Sequence, residues 1–176
     1  MLGKTYDAEV CSAARALELV GERWSLLIVR KALFAGARRF GDFRSLGIAT
    51  NVLASRLDGF VAAGIMERAG SDGAEYALTA QGRELAAVVV ALTAWGDRYL
   101  APDGPPVLYT HAGCGGRVAQ QLVCETCGEV HDPRELRALP GPGMPAEIAA
   151  RMTGADVEER TRPTDTQRQR TSERRG

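Results

Sequence analysis

No run of 18 or more apolar residues occurs in this chain, which excludes a membrane-spanning helix. The stretch from Met1 to Glu9 lacks the basic and apolar regions of a secretory leader. Together these absences lead us to expect a cytoplasmic protein. Charge of one sign is also missing, because 22 basic residues balance 22 acidic ones. Whole-chain charge therefore points to no partner. No internal repeat, no phosphate-cradling glycine loop and no Ser/His/Asp set is evident, and no paired carboxylates prepare a pocket. Histidine is scarce, with two residues, and cysteine is limited to Cys11, Cys114, Cys124 and Cys127. In a cytosolic chain, CxxC spacing favours metal or redox chemistry over structural disulfides.

What is present suffices for one domain of ordinary size plus a small module: 176 residues, 45% of them hydrophobic. Cys11, Ala14, Leu17 and Val20 mark a helical stripe that Gly21 breaks. Trp24, Leu27, Ile28 and Ala32 mark a second helix, ending before Gly36. "RRFGDFRSL" reads as a short third helix or turn with Phe40 and Phe43 inward, stopped by Gly47. "ATNVLASRLDGFVAAG" is a fourth helix, with Thr50 the expected N-cap and Gly64 the C-terminal stop. Its apolar face is Leu53, Leu57, Phe60 and Val61, and Asn51, Ser55 and Asp58 lie opposite. "IMERAG" and "EYALT" flank Ser71-Asp72-Gly73 as a hairpin. A long helix follows over about residues 79–100, through Leu85, Val88, Val89, Leu92 and Trp95.

That order is the order of a winged helix, mainly α with a small β component. In such a design the fourth helix enters the DNA major groove and the hairpin reaches the adjoining backbone. Thr50, Asn51, Ser55 and Arg56 are then the candidate groups for bases and phosphates. Arg38, Arg39 and Arg44 are candidate phosphate neutralisers. The wing offers Arg68 and Ser71, but it is short and carries Asp72 and Glu75. Taken singly, each of these features is compatible with an ordinary solvated surface.

The cysteine opening the first helix, "GERWSLLIVR", "RRFGDFR", "NVLASRLDGFVAAGIMER" and "YALTAQG" together resemble the HxlR-type transcriptional regulators, relatives of MarR. The likeness covers residues 8 to 98. It implies a homodimeric regulator of double-stranded DNA, acting on a pseudo-palindromic operator. It further implies a dimer interface built from the first helix and the helix over 79–100. Some members of that family sense through a cysteine at the place of Cys11. A thiol there feels the positive end of the helix dipole, and Arg15 follows four residues on. Oxidant sensing and simple burial as a small hydrophobe are both open readings of Cys11. The effector class is equally open between a small molecule and an oxidant.

Beyond the linker at residues 101–106, a second pattern occupies 107–140. His111-x2-Cys114 and Cys124-x2-Cys127 form two chelating pairs, and Gly115 and Gly128 follow the second cysteine or histidine partner in each. Facing turns of this kind form the tetrahedral N/S cage that Zn2+ prefers, so we expect a small zinc-ribbon-like β module with two or three short strands. His131 is the rival to His111 as fourth ligand. A Cys124–Cys127 disulfide, a redox-labile zinc site, a Cys/His enzyme and a protein-interaction module are the alternatives. From residue 141 a Pro/Gly-rich stretch leads through a short helix near Ala146–Met152 to an Arg-rich tail. That tail, with six arginines from Arg160 onward against Asp165 and Glu173, is expected to be disordered.

Overall fold

The computed structural model describes residues 10–130 and 132–161. The Arg-rich tail expected to be disordered lies, from residue 162 onward, outside the described residues, as does His131. The chain divides into two compact units, Met1–Gln121 and Leu122–Gly176.

In the first unit the elements follow the expected order. Helix α1 spans Ser12–Val20 and α2 spans Ser25–Phe34. The short α3, Phe40–Phe43, runs on into a 3-10 turn at Arg44–Leu46. Helix α4 spans Thr50–Ala62, the strands β1 and β2 span Met66–Ala69 and Glu75–Leu78, and α5 spans Ala80–Leu100. β1 and β2 pair antiparallel, with Met66 opposite Leu78 and Ala69 opposite Glu75.

The core gathers where these elements turn their apolar faces together. Ile28 and Val29 from α2, Phe43 from α3, and Leu53 and Leu57 from α4 are fully buried. Leu53, Leu57 and Phe60 recur at helical spacing, so α4 presents one side inward and leaves Asn51, Ser55 and Asp58 outward. Phe60 closes that face against Ile65 and Met66, and Tyr76 and Val89 complete the core. Removing any one of the large side chains would leave a cavity.

Local chemistry explains the boundaries. The end of α4 is a Schellman motif: Gly64, at φ +71°, donates its N–H to Val61 O, and Ile65 N donates to Phe60 O at 2.9 Å. Its start differs from expectation. Ala49 occupies the N-cap position, Thr50 is the first helical residue, and no side chain caps the first turn. Helix α5 begins as anticipated at Thr79, whose hydroxyl accepts from Gly82 N at 3.1 Å and donates to Gly64 O at 2.6 Å. Gly82 is obligatory for this junction, because a Cβ there would stand 2.1 Å from Ile65 O.

One pairing was not anticipated from the sequence. Tyr76 N donates to Arg38 O at 2.7 Å, and Arg39 forms a β-bridge with Glu75, so the chain before α3 adds an edge to the wing. Residues 109–118 also form a small hairpin. Thr110 bridges Arg117, Val118 N donates to Tyr109 O, and the Tyr109 ring packs on Phe34 at 4.5 Å between centroids.

The second unit is built differently. β3 (Val123–Cys124) and β4 (Gly128–Glu129) pair antiparallel around a tight turn. A 3-10 turn at Pro133–Glu135 is capped by Asp132, whose carboxylate accepts from Arg134 N and from the Arg134 guanidinium. Those bonds hold the Asp132 carboxyl below the usual carboxylate range. Helix α6 starts at Ala146 as expected and continues to Thr161, beyond the Met152 boundary read from the sequence. No side chain among the described residues of this unit is buried.

Candidate nucleic-acid interface

Helix α4 positions the candidate reading face. Asn51 and Ser55 are exposed across the helix from buried Leu53 and Leu57, and Thr50 is exposed at its first turn. With no capping side chain at Ala49, the first-turn N–H groups of α4 also lack a side-chain partner. A helix start of this kind is suited to an anion such as a phosphate. Arg44, in the 3-10 turn before α4, is exposed as well.

The remaining basic candidates are held by carboxylates of the same chain. Arg38 Nε lies 2.8 Å and Arg39 a longer 3.5 Å from the Glu75 carboxylate on the wing. Arg68, on β1, reaches the outward Asp58 of α4 at 2.9 Å and stacks over the Tyr76 ring at 4.2 Å. Arg56 is more enclosed, with its side chain 20% exposed, and pairs with Glu22 at 3.0 Å across to the α1–α2 connection. Ser71 is exposed at the wing tip, where Asp72 accepts from Ala74 N instead of facing outward alone. The Asp42 carboxylate accepts from Arg39 N at 2.8 Å and from Arg38 N at 2.9 Å. Those two backbone bonds hold its carboxyl below the usual range and fix the loop that carries both arginines. The structure thus brings α3, α4 and the wing together as one surface of exposed hydroxyl, amide and guanidinium groups. The acidic partners Glu75, Asp58 and Glu22 escaped sequence reading because they are 10 to 37 positions away from the arginines they hold.

This surface is what a helix-turn-helix reader requires, and comparison with known proteins agrees with it. The HxlR-like helix-turn-helix family model matches residues 19–104. Uncharacterized HTH-type transcriptional regulators of Mycobacterium bovis and Mycobacterium tuberculosis are 46% identical over 145 residues, covering 79% of this chain and 91% of theirs. The chain belongs to the HxlR-like family of transcriptional regulators. Two solved structures extend the likeness to the fold. PA1607, described as a candidate transcription factor, is 36% identical with a TM-score of 0.69, covering 78% of this chain and all of that one. PA1374 of Pseudomonas aeruginosa is 38% identical with a TM-score of 0.56, covering 80% and 99%.

Two further sites sit on this HxlR-type scaffold. Cys11 occupies the N-cap position of α1, exposed, with its carbonyl accepting from Arg15 N at 3.1 Å. The simple alternative of a buried small hydrophobe does not hold within the single chain. The cysteine–histidine pairs form two separate knuckles. In the first unit His111 Nδ1 stands 3.3 Å from Cys114 Sγ, inside the turn that His111 N and Gly116 O close, with Gly115 at φ +70°. In the second, Cys124 stands opposite Gly128 (φ +98°) and hydrogen-bonds Cys127 in the β3–β4 turn. Backbone N–H groups of Cys127 and then Thr126 pull the Cys124 thiol below its usual range, favouring thiolate. Within neither unit do the described residues gather three or more His, Cys, Asp or Glu side chains. Each pair by itself has the donor chemistry and turn geometry of half a zinc site. Among the described residues no helix is long and apolar enough to cross a membrane.

Proposed function

We propose that this HxlR-type regulator binds double-stranded operator DNA as a homodimer, with α4 in the major groove and the wing against the backbone. The observation that carries this reading is the α4 surface: exposed Thr50, Asn51 and Ser55 on a helix whose other face is locked into the core. Asn51 has the amide geometry for bidentate contact with adenine, and Ser55 serves either base type. Arg44 approaches a phosphate directly. Arg38, Arg39, Arg56 and Arg68 exchange their carboxylate partners for phosphates on docking, which makes the acidic wing a brake on affinity.

Dimerisation is supported by the apolar residues that a single chain leaves in water. Leu92 is 53% exposed and Trp95 55% exposed, and Val88 and Tyr99 continue the row at helical spacing along α5. Leu17 of α1 is also exposed. Cys11 stands at the other end of α1, where oxidation adds bulk close to that interface. The sequence pattern of Cys114, Cys124 and Cys127 with His111 or His131 has the donor set for one structural Zn2+. That ion supplies folding energy and no catalysis.

Operator binding by Asn51→Ala tests the assignment. A loss of about 1–3 kcal/mol on the operator, with non-specific affinity unchanged, is expected for a lost base contact. Glu75→Gln is expected to strengthen binding at low salt, since Arg38 and Arg39 no longer leave a carboxylate. Unchanged sequence preference in Asn51→Ala removes α4 as the reader. For Cys11, equal loss of operator binding under oxidant in the wild type and Cys11→Ser removes the thiol from any switch.

A further inference from the structure

Helix α5 is apolar nearly all round over residues 85–95, with Thr93 the exception, a pattern that calls for cover on every side. At about 100° per residue, its surface divides into three sectors. Leu85 and Val89 point into the core. Val88, Leu92, Trp95 and Tyr99 form the exposed row already assigned to a second copy. The third sector, centred on Val90 and on the far side of the core sector from that row, faces the 109–118 hairpin. The hairpin does not close over it. Between them lies a cleft in two lobes that share Val90, Leu108, Tyr109 and Val118.

The two lobes differ in chemistry. The larger, with a volume of about 680 Å³, is walled by Phe34, Ala86, Ala87 and the tilted Phe34–Tyr109 ring pair. The smaller, of about 490 Å³, adds Thr93, Asp97, Arg98 and Arg117. Both volumes lie in the range of small-molecule sites. The arginines of the DNA-facing surface have carboxylate partners, apart from Arg44. Arg98 and Arg117, in contrast, have none among the described residues, although Arg98 leans over the Tyr99 ring at 5.9 Å. With Asp97 the small lobe still carries one net positive charge. The hairpin wall lies beyond residue 104, where the family match ends, whereas Phe34, Val90 and Arg98 lie within it.

We propose that this cleft binds a small amphipathic acid, its apolar body in the large lobe against Phe34 and Tyr109 and its single carboxylate on Arg98 and Arg117. Such a ligand completes the cover of α5. It presses on the helix that carries the dimer row, so it is placed to alter the spacing of the two α4 helices. That last step rests on the homodimeric reading above; binding itself does not.

Titration calorimetry on the full chain tests the site, with 1-naphthoate and decanoate as acids and 1-naphthalenemethanol and decanol as their neutral counterparts. One equivalent per chain of at least one acid is expected to bind saturably, and more tightly than its alcohol. Arg98→Gln with Arg117→Gln, both on exposed residues, is expected to weaken the acid tenfold or more and leave the alcohol unchanged. Asp97→Asn is expected to strengthen the acid. Val90→Trp fills the floor of both lobes and is expected to abolish binding of both ligand types; should it fail to fold, the arginine pair decides alone. Absence of saturable binding by either acid, or binding indifferent to the arginine pair, overturns the proposal. Operator binding measured on the same samples separates the two readings. Acid binding without DNA binding sinks the regulator mechanism only, and the converse sinks the cleft only.

Discussion

The two units of this chain solve the same problem with opposite means. The first holds Ile28, Val29, Phe43, Leu53 and Leu57 entirely out of water. The second has no buried side chain among its described residues, only a four-residue sheet, a capped 3-10 turn and α6. Apolar burial of roughly 25 cal/mol per Å² stabilises the first and has little to act on in the second. What the second has instead is the CxxC turn of Cys124 and Cys127, whose backbone N–H groups pull the Cys124 thiol below its usual range. Order without burial needs a covalent or metal bond, and that is the physical ground for the zinc proposal.

Four perturbations sharpen this contrast. Chelation is expected to have the largest effect and a local one. Removing zinc, whose binding in structural sites is worth about 10–16 kcal/mol, is expected to abolish amide-exchange protection at residues 111–128 while the helical core over residues 12–100 melts unchanged. Metal content near zero per chain, after purification without chelator, eliminates the proposal. Leu57→Ala is the reciprocal experiment. It should cost about 2–5 kcal/mol in the denaturation of the first unit, weaken DNA binding by loosening α4, and leave metal content intact. Trp95→Glu acts at the surface of the same unit. It is expected to raise the dimer dissociation constant about 30-fold or more, as for a hot-spot aromatic worth about 2 kcal/mol, in sedimentation equilibrium.

The smallest effect is electrostatic. The folded state holds the Asp42 carboxyl below its unfolded value through the Arg39 and Arg38 N–H groups. Its contribution is therefore present above about pH 4, and it is lost as pH falls through the lowered folded value. Asp42→Asn should melt slightly earlier than wild type at pH 7 and converge with it in acid. Parallel melting curves at both pH values contradict that role.

Legibility from sequence divides along the same line as stability. Helical spacing of Leu53, Leu57 and Phe60 was readable because burial writes a period into the sequence, and Gly64 marked its own stop because only glycine sits easily at positive φ. Thr50 misled as a cap: its residue type suits the N-cap, yet the N-cap falls one position earlier, on Ala49. Periodicity also could not separate Val89, which the single chain buries, from Val88 and Leu92, which it exposes. The period alone does not distinguish a face the chain buries from one that the proposed dimer would cover. The ion pairs of Arg38, Arg39, Arg56 and Arg68 leave no local trace at all, since each partner comes from another element. In the second unit CxxC spacing identified the turn but not the extent of α6, whose apolar pattern is weak.

One junction in the first unit has a mechanical meaning. The Thr79 hydroxyl grips the carbonyl of Gly64 and the amide of Gly82, and Gly82 admits no side chain against Ile65 O. The end of α4, the root of the wing and the first turn of α5 are thus fastened at a single point with no slack. A push on α5 cannot be absorbed by bending there. On the proposed DNA-binding reading, a shift of the first turn of α5 would therefore move the end of α4 and the root of the wing with it.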